Sequence, residues 1–197
     1  MNLKNFFNNR VEFVRKNLAL FFIFFLSLGY FLFQHFVISK WDFYAYVLNA
    51  RYLFSSGGYF ELYRAPLISL VLGIFLFFGK AAEYLYILIV SVLFFVAFLK
   101  LSNILYVGFF KKFSLQKESF RFIFLFFLMS PFVLYYSFFA GTELLCLSLF
   151  MFFLYFLFSE NNWKKDFSGL FLGLTFLARY NYLLFLPLLL LTKSPKK

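Results

Sequence analysis

The sequence predicts an all-α integral membrane protein. It has about four full transmembrane helices, a broken C-terminal hairpin, and two amphipathic, juxtamembrane helices in the first outer loop. Three observations carry this reading. Of 197 residues, 64% are hydrophobic and only 14% charged, against ~25% charged in an average globular chain, and no soluble domain of this length hides so much apolar surface. The apolar residues fall in runs of spanning length, ~20 residues each. The basic residues fall between those runs, where cytoplasmic loops carry them. The net charge of +11 therefore marks topology, and nucleic acid is rejected as a partner. The 39 phenylalanines read as compositional bias at lipid-facing positions.

Taken in order, Leu18–Ile38 is the first span. Lys4, Arg10, Arg15 and Lys16 precede it and hold the N-terminus in the cytoplasm. The run is too long for a signal-peptide core and ends in no small-residue cleavage site. Residues 39–80 form an outer loop with surface helices. Residues 81–110 form the second span, interrupted only by Lys100, which snorkels to a headgroup. That span ends in a basic cluster, Lys111, Lys112, Lys117 and Arg121. Pro66–Phe78 is apolar but too short to cross. Counting it as a crossing would move the basic cluster outside, so it is placed on the outer surface. Residues 122–140 return outward and 143–158 go back in, ending near Lys164 and Lys165 with Trp163 as an interfacial anchor. Residues 167–191 are apolar except for Arg179. A single straight helix leaves Arg179 in the hydrocarbon and the lysine tail outside. A hairpin of two short limbs puts Arg179 at a recessed outer tip and the tail inside. The hairpin satisfies both the positive-inside bias and the cost of a midplane charge, and is preferred. The chain reads as one unit, 1–197, without internal repeats, soluble domains or long linkers.

The outer side then holds few charges, among them Asp42, Arg51, Glu61, Arg64, Glu143 and Arg179. Asp42, Tyr46 and Asn49 share one helical face, and Phe43, Val47, Ala50 and Phe54 share another. That pattern predicts a helix on the membrane whose polar face turns to water or to a pocket. Asp42 has two readings. In Ser39-Lys40-Trp41-Asp42 it is a capping acid in a first turn, or it is a carboxylate held at the membrane edge for chemistry. Glu143 has the same pair of readings, with Thr142 as the N-cap. It opens a short crossing, so its outer end sinks toward the membrane, where an ionisable group is a functional candidate. Single copies of His35 and Cys146 exclude a disulfide framework, a cysteine metal site and a multi-histidine site. Both are read as structural. No metal and no cofactor is expected.

The stretch "WDFYAYVLNARYLFSSGGYFELYRAPL" resembles the first outer loop of the GT-C class of polytopic glycosyltransferases that use lipid-linked sugars. The nearest branches are the aminoarabinose transferases, the protein O-mannosyltransferases and the Rgt-like enzymes. Asp42, Tyr46, Arg51 and Gly57 stand at the family's Asp, Tyr, Arg and Gly positions, and Tyr63-Arg64-Ala65-Pro66 with Phe78-Gly79 matches its basic-Pro element and short surface helix. "SPFVLYYSFFAGTELL" is similar to the second outer acidic turn, with Glu143 where the family usually has Asp. "GLFLGLTFLARYNYLLFLP" is similar to the last element, with Arg179 at the basic position. Phe43 stands where many members have Glu, and family enzymes are typically longer, so the chain corresponds to their N-terminal core.

The resemblance implies transfer of a sugar from a polyprenyl- or dolichyl-phosphate donor to an acceptor, with inversion, on the outer face of a membrane that is expected to be a prokaryotic plasma membrane. Asp42 and Glu143 are then the catalytic candidates: Asp42 the base, Glu143 orienting the acceptor or pairing with a basic residue. Arg64, Arg179 and Arg51 are the phosphate-binding candidates, since a guanidinium forks onto phosphate oxygens. Tyr46, Tyr63 and Asn49 are the substrate-pocket candidates. The expected partners are the donor, the lipid bilayer and a possible second membrane polypeptide. The rival readings are a non-catalytic membrane module or split homologue that needs a partner chain, a carrier of lipid-linked sugars, and a structural subunit packed through Gly169 and Gly173.

Overall fold

The structure is a computed structural model and describes residues 3–37, 41–54, 57, 59–113, 116–128, 140–159 and 162–192. Among these residues every regular element is helical. The α-helices are α1 (Leu3–Val37), α2 (Trp41–Phe54), α3 (Pro66–Phe75), α4 (Ala82–Leu105), α5 (Lys117–Leu128), α6 (Ala140–Leu157) and α7 (Asn162–Ala178). A 3-10 turn, Leu76–Ala81, joins α3 to α4, and a 3-10 helix, Tyr180–Thr192, follows α7. Among the described residues three stretches are long and apolar enough to cross a membrane: Leu20–Val37, Pro66–Phe110 and Ala140–Leu157. The middle one is not a single rod. Gly79 takes φ 58° and ψ −124° inside it, a conformation that a residue without Cβ reaches cheaply. The turn lets α3 pack against both α2 and α4.

The core is built on α4 and α6, with α7 against α6 and α1 against α4. Tyr86, Phe94, Phe98, Leu144 and Met151 are almost fully buried between them. Helix α1 runs antiparallel to α4. Phe24 meets Phe95 at 4.9 Å between ring centroids, and Phe36 stacks on Tyr84 at 4.2 Å. The outward faces stay apolar, with Phe22, Phe25, Phe33 and Phe126 each more than 60% exposed. Ser91, Ser148 and Thr175 donate to carbonyls four residues back in their own helices, so no hydroxyl there is left unsatisfied.

The molecule has two chemically distinct ends. Phe109 meets Phe158, so the exits of α4 and α6 lie together, and the segments with Lys111, Lys112, Lys117, Lys164 and Lys165 follow from them. At the other end α2, the first turns of α4 and α6, and Arg179 converge. The last limb reverses there. Tyr182 and Phe185 pack on Phe150, and Leu188 and Leu189 pack on Phe153, Leu157 and Leu172.

Several boundaries differ from the sequence expectation. Helix α1 begins at Leu3, ahead of the apolar stretch Leu20–Val37 that falls within the expected first span, because no Pro or Gly interrupts the basic segment. Helix α7 begins at Asn162 for a similar reason. On the polar face of α2, Asp42 and Tyr46 line a cavity, but Asn49 is buried, and on the apolar face Phe54 is exposed. Helix α2 packs mainly on α3 and also touches α6. Residues 129–139 of the expected third span, Lys40 and the tail from 193 lie outside the described residues.

The first turn of α6 is a close-packed junction. Gln34 Oε1 accepts from Ala140 N–H at 3.0 Å, which takes one of the helix's orphan donors. Tyr86 donates its hydroxyl to the Gly141 carbonyl at 3.0 Å. A Cβ on Gly141 would lie 2.6 Å from a Phe43 ring carbon and 3.0 Å from the His35 ring. Gly141→Ala is therefore expected to cost about 1–3 kcal/mol by overpacking, whereas Gly173→Ala meets nothing within 4 Å and should gain about 0.5–1 kcal/mol from helix propensity. Thermal unfolding of both variants in the same detergent checks the opposite signs.

Candidate functional site

Asp42 lies in the first turn of α2, where its charge suits the helix dipole. Its partner comes from the bend before α3. Arg64 N–H closes that bend onto the Glu61 carbonyl at 3.4 Å, and Pro66 in the first turn of α3 sets the exit direction. Arg64 Nη2 donates to Asp42 Oδ1 at 2.9 Å. Its Nε lies 3.3 Å from a Glu61 carboxylate oxygen but is not aimed along it. The guanidinium carbon stands 5.8 Å from the Tyr46 ring centre, near the limit of a cation–π contact. Burial pushes the Tyr46 phenol up to about 12, so it keeps its proton and can act as a hydrogen-bond donor throughout the neutral range.

The second half of the site comes from α6 and the end of α7. Glu143, in the first turn of α6, forms an ion pair with Arg179. Thr142 donates its hydroxyl to the same carboxylate at 3.4 Å. The Glu143 side chain is only 12% exposed. Arg179 N–H closes the last turn of α7 onto the Thr175 carbonyl, and its own carbonyl accepts from Tyr182 N–H. The residue that breaks the helix is thus the one that carries the charge.

Between the two pairs lies an open cavity of about 180 Å³. Asp42, Tyr46, Tyr63 and Arg64 line one wall, and Arg179, Tyr180 and Asn181 line the other. The Asp42 side chain is 46% exposed and Tyr63 is 89% exposed, so a ligand can reach both from outside. Five ionic side chains gather here: carboxylates Asp42, Glu61 and Glu143, and guanidiniums Arg64 and Arg179. Their formal sum is 2 − 3 = −1. Each guanidinium is already neutralised, and an entering anion would share it with its carboxylate. Five N–H donors on each arginine leave room for such sharing. Among the described residues no three of His, Cys, Asp and Glu come together as a metal site would need.

Of the sequence-derived candidates, the structure brings Asp42, Tyr46, Tyr63, Arg64 and Arg179 to one cavity and puts Glu143 directly behind Arg179. Two candidates lie elsewhere. Asn49 is 2% exposed and is used as a latch. Its Nδ2 donates to the Glu61 carbonyl at 2.9 Å, and its Oδ1 accepts from Glu61 N–H at 2.7 Å. With both ends of its amide occupied, it holds the loop instead of a substrate. Arg51, nine residues after Asp42, leaves the helix on another side and lines a different cavity. Sequence reasoning missed Glu61, Tyr180 and Asn181 as members of the site. Glu61 was readable three residues before Arg64, and Asn181 sits beside the one charge of the last apolar run.

The chain was compared with family models, curated proteins and solved structures, and it matches none of them.

Removing one partner of a largely buried ion pair leaves an uncompensated charge, at a cost of about 3–5 kcal/mol. Arg179→Ala is expected to approach that loss. The double change Glu143→Gln with Arg179→Gln should cost clearly less than the sum of the two single changes. A double-mutant cycle on thermal unfolding in micelles measures the coupling.

Proposed function

We propose that this chain is a GT-C-type glycosyltransferase, or the N-terminal module of one, that moves a sugar from a polyprenyl-phosphate donor to an acceptor on the outer face of a membrane. The observation that carries the reading is the single cavity in which Asp42 and Tyr46 of α2, Arg64 from the loop, and Arg179 from the last hairpin share one surface. Asp42 and Arg64 of the first motif and Arg179 of the last are far apart in sequence and meet at this cavity, with Glu143 paired to Arg179, while Arg51 lies elsewhere.

In this proposal, helices α1, α4 and α6 cross the bilayer together with a third span that contains α5. The α7 limb and the 3-10 limb form a recessed hairpin with Arg179 at its tip. The end with the lysine-bearing segments faces the cytoplasm, in line with the positive-inside bias. The cavity then opens at the outer edge, where a prenyl-phosphate head hangs from its lipid tail. The donor's phosphate is shared by Arg64 and Arg179, whose charge stabilises the leaving group as the bond to the anomeric carbon breaks. Asp42 takes the acceptor's proton as its oxygen or nitrogen attacks that carbon from the opposite face. The products are a glycosylated acceptor and free polyprenyl phosphate. Tyr46 donates a hydrogen bond in the pocket, and Tyr63 offers an exposed ring to the sugar. Glu143 keeps Arg179 in place.

General-base catalysis contributes about 10²–10⁴-fold. Asp42→Asn is expected to lower transfer from a radiolabelled prenyl-phosphate sugar by that factor, with membrane insertion unchanged. Normal transfer by this variant would remove Asp42 from the role. Arg64→Ala is expected to weaken donor binding more than Lys40→Ala, as read from donor titrations of the two variants, because Arg64 lies on the cavity wall and in the Arg-x-Pro element. Equal losses would count against the assignment.

A further inference from the structure

A second cavity, of about 510 Å³, lies at the same end of the molecule and shares no lining residue with the first. Its walls are Phe36 at the end of α1, Arg51 of α2, Gly79 and Lys80 in the 3-10 turn, and Glu83 and Tyr84 in the first turn of α4. Arg51 and Lys80 arrive from different elements and are both exposed. Glu83 is the one carboxylate of the lining, and its oxygen lies 3.3 Å from Nε2 of His35, which is buried beneath the cavity floor. Two cations therefore face one acid that is also directed inward, and the lining carries a net positive charge. Phe36 and Tyr84 stack at 4.2 Å and 22° to form a flat aromatic wall. A Cβ on Gly79 would meet nothing within 4 Å, so the mouth is open.

The sequence neighbours of the lining residues decide between a soluble anion and a lipid. Val37, next to Phe36, is 64% exposed, and Phe77 and Phe78, just before Gly79, are 81% and 48% exposed, and the apolar stretch of α1 ends at Val37. A small phosphate would fill the cationic part and leave these apolar side chains bare. A lipid would place its phosphodiester between Arg51 and Lys80 and lay its acyl chains on the exposed phenylalanines. The aromatic wall sits where such rings meet lipid headgroups. We infer that this cavity binds the phosphodiester headgroup of one anionic phospholipid, apart from the cavity that contains Asp42. Arg51 thus belongs to a lipid site rather than to the donor site. Gly79, with its left-handed backbone, turns Lys80 away from the end of α3 and toward Arg51's side of the bundle.

The test uses the full chain reconstituted in vesicles of phosphatidylcholine and phosphatidylglycerol, released and weighed by native mass spectrometry. One phosphatidylglycerol is expected to stay bound in preference to phosphatidylcholine. Near a charged headgroup each cation is worth roughly a fivefold change in affinity. Arg51→Gln and Lys80→Gln should each lower retention about that much, Arg51→Lys should keep most of it, and Lys111→Gln with Lys112→Gln at the opposite end should leave it unchanged. Asp42→Asn should also leave it unchanged while affecting transfer, so this inference and the proposed activity fail separately. Circular dichroism of each variant confirms that the helices remain. Equal retention of the two lipids, or equal losses from changes at both ends, would overturn the inference. So would saturable binding of glycerol phosphate as tight as that of the lipid.

Discussion

The pairing of Glu143 with Arg179 is the constraint on which the rest of the arrangement depends. Each charge sits at the boundary of an apolar run, and neither can stand alone there without a large desolvation cost. Bringing them together fixes the first turn of α6 against the end of α7. It also decides where the chain reverses, because Arg179 closes α7 through its N–H and starts the next limb through its carbonyl. A charge that would be a liability inside one long helix thus becomes the corner of a hairpin. The second pair, Asp42 with Arg64, sits on the same cavity. Its geometry depends on the Asn49 latch, which holds the bend that presents Arg64.

The polar end is tied to the apolar body through the start of α6. Gln34 of α1, Tyr86 of α4, and the rings of Phe43 and His35 all close on residues 140 and 141. These contacts satisfy backbone groups that an apolar environment would otherwise leave unpaired. Of the cavity's lining, Asp42 and Tyr46 stand on α2, which packs against this body, whereas Tyr63 and Arg64 come from the bend that the Asn49 latch holds.

Much of this was legible in the sequence, and the exceptions have physical causes. Run length and charge placement marked the long apolar helices, since a span must be apolar over its whole length. The lone arginine in the last run announced a partner and a break. The i, i+4 spacing of Asp42 and Tyr46 put them on one face, and they line one wall. The same periodicity placed Asn49 with them, but periodicity reports only direction around a helix. It cannot tell a side chain facing a cavity from one spent on a neighbouring loop. Arg51 failed for a similar reason. A motif spacing placed it near Asp42 along the chain, while the turn of α2 sends it toward Lys80. The apolar stretch of α1 falls where the first span was read, but α1 and α7 run on as helix into their charged flanks, because no proline intervenes there.

The last limb keeps 3-10 geometry over 13 residues with Pro187 inside it, far longer than the three or four residues common for this winding. The tighter winding, with its larger rise per residue, changes its reach. At about 2.0 Å per residue it extends some 26 Å, whereas the same residues wound as an α-helix would stop near 20 Å. Pro187 has no amide proton to give in either winding. The limb therefore reaches about 6 Å further along its axis from Arg179 than the same residues would as an α-helix.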